Sequence, residues 1–210
     1  MEEISIIDQP ELNQYSTSSD LVYQENTSEL IQTKNSSSIF NPANGSSHFE
    51  LAQRMAKALA ATDLVPATYK GNVANCMIAL ELANRIGVSP LMVMQNLYPI
   101  NGRPTWSSQF VIAAINTCGR FSTLKFTFNA EKTSCYAYAT EKMTGEVLRG
   151  TTISFDMAES EGWVQKKGSK WATMPELMLT YRAAAFFGRV YCPEILNGMH
   201  TDNEIEDIRN

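Results

Sequence analysis

The sequence predicts an α+β domain in which helices pack on a short β-hairpin and a three-stranded antiparallel sheet, behind a disordered N-terminal tail. Three observations predict it. Apolar residues recur at helical spacing over 48–61 and 73–86. Asn101-Gly102, a strong two-residue turn signal, separates two short extended arms. Three strand-like runs then follow one another through short connections, 121–128, 134–140 and 146–155. Grouped strands and grouped helices mark a segregated α+β domain and exclude the strand–helix alternation of a Rossmann-like sheet.

Each element has a local cause. Residues 1–47 are rich in Ser, Asn, Thr, Gln and Glu. Such a stretch cannot bury enough apolar surface to offset its ordering entropy, so a disordered acidic tail is expected, a passive one in the first reading and one with a short partner-binding segment around 21–23 in the second. Order is expected to begin near Ser47 as an N-cap, with Ala52, Met55, Ala56 and Leu59 on one helical face. The 73–86 segment is apolar on most sides and predicts a buried central helix, ended by Gly87 and Pro90. A helical turn at 91–95 leads into the hairpin over 97–106. Ser107 or Ser108 caps the next helix, which stops near Gly119. After the three strands come a helical turn at 156–161, a basic loop at 162–170 and a long helix over 174–191 with Pro175 in its first turn. The expected organisation is therefore a tail at 1–47, a core at 48–198 and an acidic C-terminal tail at 199–210.

The net charge of −5 conceals an asymmetry. Residues 1–48 carry seven acids against Lys34 alone, 49–193 carry 15 bases and 10 acids, and 194–210 carry five acids against Arg209. A basic body lies between two acidic ends, and these ends are expected either to compete with a polyanion for the body or to contact neighbouring protomers. No apolar run approaches the ~20 residues of a membrane helix. The start of the chain lacks a secretory signal pattern, so a cytoplasmic location is expected. Four scattered cysteines and two histidines show no ligand spacing for zinc. There is no P-loop, GxGxxG or GxSxG motif, and the acids of the body show no two-metal spacing. No cofactor, no metal and no enzymatic activity are expected.

The informative segment is 162–189. Lys166, Lys167 and Lys170 lie in one loop bracketed by Trp163 and Trp171. Cations beside exposed ring faces suit a nucleic-acid strand, because phosphates pair with the charges and bases stack for ~1–3 kcal/mol each. Arg182 and Arg189, seven residues apart, project from one helix face about 10 Å apart, a spacing that suits successive phosphates. The bland alternative is a solvated basic face above core tryptophans. Arg103, beside Trp106, repeats the pairing of base and aromatic, or serves as an edge-strand charge.

Four pieces carry a resemblance: Asp63-Leu64-Val65-Pro66; Ser89-Pro90-Leu91-Met92 leading to Gln95-Asn96-Leu97; Ile100-Asn101-Gly102-Arg103-Pro104; and Ser169-Lys170-Trp171 through Met178 and Arg182 to Arg189. Over about 50–195 the chain resembles the phage single-strand annealing recombinases of the RecT and lambda Redβ kind. The resemblance implies ATP-independent binding of single-stranded DNA and annealing of complementary strands in a homo-oligomeric ring or filament, in a phage-infected bacterial host. It implies DNA contacts by Trp171, Arg182 and Arg189 with Lys170 adjacent, and by Arg103 and Ser107 at the hairpin and the following helix start. It also implies partnership with a phage exonuclease or a host single-strand-binding protein. The competing expectation is an oligomeric structural or regulatory protein that keeps the fold and binds protein partners.

Overall fold

The computed structural model describes Ser38, Phe40 and residues 45–208. The expectation for the N-terminal tail falls almost wholly outside the described residues. Helix α1 (Gly45–Ala60) starts two residues before the expected cap. Helix α2 (Val73–Ile86) is held at one end by Asn72, whose side chain accepts the Asn75 amide, and at the other by Gly87 in a left-handed cap. Packed against α1 and α3, it leaves Ile78 half exposed, so it is not the central helix its composition suggests. Ser38 donates to the buried carboxylate of Glu81 on this helix, which also pairs with Arg85.

Helix α3 (Pro90–Asn96) feeds β1 (Leu97–Ile100), which pairs antiparallel with β2 (Arg103–Trp106). Asn101 and Gly102 have φ of 53° and 75°, the double positive φ that this turn demands and that Asn-Gly supplies at least cost. Ser107 caps α4 (Ser108–Thr117), accepting the Phe110 amide. Then come β3 (Lys125–Phe128), β4 (Ser134–Thr140), β5 (Val147–Arg149) and β6 (Ile153–Ser154). β4 pairs antiparallel with all three of the others. The third expected strand is thus two short ones. Between them Gly150 sits so close to Ala137 and Phe187 that an added Cβ would lie 3.3 Å from the Ala137 carbonyl oxygen.

Helices α5 (Phe155–Ser160), α6 (Lys170–Thr173) and α7 (Pro175–Tyr191) follow, then α8 (Pro193–Leu196). The central helix is α7. It packs on β4 on one side, on α4 on another, and on the final element besides. Its Leu179, Ala183, Ala184 and Phe187 are fully buried.

The expected acidic tail is corrected by the structure. His200–Thr201 form β7, which adds to β2 in parallel, and Asp202–Ile208 form α9. Thr201, Asn203, Glu204, Ile205 and Asp207 are buried. The C-terminal segment is part of the core, with Glu204 and Asp207 directed inward. Among the described residues no single helix is long and apolar enough to cross a membrane.

Candidate nucleic-acid interface

The 162–170 loop is shaped from within. Ser169 donates to the Trp163 carbonyl at 2.7 Å and caps α6. This folds the loop back so that Trp163 and Trp171 meet at 5.4 Å between ring centroids. Neither ring offers a face to a ligand: Trp171 is 0% and Trp163 9% exposed. The expectation that these rings stand open for base stacking is therefore corrected. An apolar ring that can be covered by a neighbouring element will be covered, and here α7 and α9 close over it. Trp171 spends its one polar group inside, donating its indole N–H to Asp207 at 2.9 Å.

Arg182 and Arg189 do share a face of α7, as their spacing predicts, but α9 lies on that face. Arg182 is 6% exposed and pairs with Asp207 and, at 3.7 Å, with Glu204, while its guanidinium lies 4.0 Å over the Trp163 ring. Arg189 also pairs with Glu204 and is about one-third exposed. A two-turn spacing fits successive phosphates, but it equally fits two carboxylates one helical turn apart, and α9 supplies these. The consequences differ along the cluster. At Arg182 burial dominates and lowers the pKa against the pull of both carboxylates. Burial likewise raises Asp207, despite Trp171, Arg182 and Lys166. Burial would raise Glu204 too, but the hydrogen bond and charge of Arg189, the Thr201 amide and the charge of Arg182 together hold it below the usual carboxylate range.

The lysines sit at the rim of this cluster. Lys166 donates to the Asp207 carbonyl, Lys170 pairs with Glu206 at 3.3 Å, and Lys167 is exposed. Together they line an open cleft of about 550 Å³, which Glu206 and Asp207 also line. Arg103 is exposed at the start of β2, just after the Asn-Gly turn, and does not line this cleft. Ser107 is occupied as a cap and donates to the Asn96 side chain at 2.7 Å, so its hydroxyl serves the fold. Of the eight expected contacts, the structure brings Lys166, Lys167 and Lys170 to one cleft and sets Trp171 and Arg182 in the interior beneath it.

The residues missed by sequence reasoning are Asp202, Glu204 and Asp207. Asp202 accepts from the Ser108 amide and hydroxyl, at 3.1 and 2.6 Å, and from Tyr98 at 2.8 Å, tying α9 to the start of α4 and to β1. A signal for this was present. Thr201-Asp202-Asn203-Glu204 has the capping-box pattern that opens a helix, and the Thr201 amide indeed donates to Glu204 at 2.8 Å. Comparison with family models, with curated proteins and with solved structures finds no match.

Proposed function

We propose that the protein binds single-stranded DNA and anneals complementary strands as a homo-oligomer, without nucleotide hydrolysis. The observation that carries this reading is the convergence of Lys166, Lys167 and Lys170 on one open cleft. Phosphates entering the cleft compete with Glu206 for Lys170. That exposed pair contributes little, about 0–1 kcal/mol, so it yields readily to a polyanion. Trp171, Arg182 and Arg189 support the cleft from beneath and hold its α9 wall in place. Duplex formation drives the product forward, so the protein needs only to neutralise and align the first strand. The four sequence pieces that resemble annealing recombinases support the same reading.

The test is a fluorescence-transfer annealing assay with two dye-labelled complementary oligonucleotides, without ATP, at low and moderate salt. The expected result is pairing faster than the protein-free control, with affinity falling steeply as salt rises. In a K167E/K170E variant the acceleration is lost, at least tenfold. Folded protein that gives no acceleration at any salt overturns the reading and favours a protein partner for the same fold.

A further inference from the structure

The second sheet has an open face that the cleft does not use. Alternate residues of β4 point inward: Cys135, Ala137 and Ala139 are buried, and α7 packs against that side. The residues between them point outward. There Lys125 of β3, Tyr138 of β4 and Arg149 of β5 stand opposite one another in register, and Thr127 stands opposite Tyr136. The two tyrosine rings are 6.0 Å apart between centroids, and the Arg149 guanidinium lies 3.8 Å over Tyr136. Lys125 and Arg149 are exposed, and the outward positions of the three strands hold no acidic residue. Glu141, just beyond β4, is engaged by Arg120 at 2.8 Å.

We infer that this face is a stacking platform for two unpaired bases of a nucleic-acid strand, with the flanking phosphates on Lys125 and Arg149. The inference rests on the nucleic-acid reading above and adds to it a second surface. Half-buried tyrosines two residues apart on one strand offer adjacent rings on a rigid support, and any base has a π-face to lay on them. The Arg149 plane over Tyr136 is itself a stacking surface, so an entering base either displaces it or lies on it. Charge selects the occupant: two cations and no carboxylate complement a phosphate backbone. A duplex keeps its base faces stacked inside and cannot use the tyrosines, so the platform is specific for single strands. The cleft lies beside α7, whereas this face lies on the side of the sheet away from α7. The two surfaces therefore hold separate stretches of nucleic acid.

The experiment is fluorescence anisotropy of labelled oligo-dT with the full chain at low salt, together with sedimentation velocity. It compares Y136A/Y138A, Y136F/Y138F and K125E/R149E with the unaltered protein. The expected result is affinity reduced roughly 5- to 150-fold per lost stacking partner in the alanine variant, and retained within about twofold in the phenylalanine variant. If the alanine variant melts early, K125E/R149E carries the test, with an expected loss of affinity and a shallower salt dependence. Unaltered protein that binds no oligonucleotide overturns the functional reading and this inference with it. Unaltered protein that binds, with all three variants binding equally well, overturns this inference alone. Variants that lose assembly while each protomer still binds DNA show a contact with a second copy, which also overturns it.

Discussion

Two parts of this molecule combine cations with aromatic rings, and they treat them in opposite ways. Around α7 and α9, Arg182 lies inside over Trp163, and it and the part-exposed Arg189 are matched to Glu204 and Asp207. On the outer face of β3–β5, Lys125 and Arg149 beside Tyr136 and Tyr138 face water with no carboxylate among them. The first arrangement is architecture and the second is surface. A cation near a ring becomes a binding group only when the chain has not already supplied its counter-charge.

The largest expected effect breaks the inward cluster. Arg182→Ala leaves Glu204 and Asp207 buried without the guanidinium they share, and truncating one side of a buried ion pair costs about 3–5 kcal/mol. Urea denaturation measures it, and the same change at Arg149 should cost under about 1 kcal/mol. Equal losses at the two sites would remove the distinction. Next in size is an alkaline transition. Burial raises the Cys135 thiol to about 11, the Cys192 thiol to about 12 and the Tyr69 phenol to about 12, from ordinary values of 9.0 and 10.0. Groups raised in the folded state contribute stability that is complete below their unfolded pKa and is lost as pH rises through the folded one. Denaturation midpoints should therefore hold steady to about pH 9 and fall towards pH 11–12. A midpoint that stays flat to pH 12 would contradict the burial of these groups. The exposed Cys118 should react with a thiol reagent at neutral pH while the three buried cysteines stay protected until the chain unfolds.

Smaller effects sharpen the contrast. Y136A/Y138A should change stability by only about 0.2–1 kcal/mol per cross-strand pair removed, because the rings cover little of the core. Lys170→Ala at the cleft rim removes an exposed pair with Glu206 and should cost at most about 1 kcal/mol in thermal denaturation. A larger loss would move Lys170 from rim to scaffold.

The fold was largely legible because its signals are local. Asn101-Gly102, the Ser107 cap and the Gly87 end of α2 each specify backbone geometry within a few residues. Alternation of Tyr136 and Tyr138 with small residues marks β4 as a strand without saying which side faces in; the structure buries the alanines. The site was legible only in part. The loop lysines are where their neighbours in sequence imply, but the burial of Trp171 and Arg182 depends on residues 25 to 36 positions further along the chain. Nothing in the composition of 199–210 distinguishes acids that seek water from acids that seek Arg182. The capping-box pattern was the one local clue, and it announces a helix without saying what the helix covers.

The parallel pairing of β7 with β2 has a consequence for the order in which the chain is made. Thr105 and Trp106 receive their partners His200 and Thr201 only after almost a hundred intervening residues have been synthesised. Synthesis proceeds at about 5–20 residues per second, so on the ribosome β2 waits several seconds with an unpaired edge. Arg182 and Arg189, made near the end of that interval, carry charge unanswered by Glu204 and Asp207 until those residues follow. A nascent chain halted before Glu204 would leave Arg182 and Arg189 without their carboxylates, and the emergence of α9 supplies them.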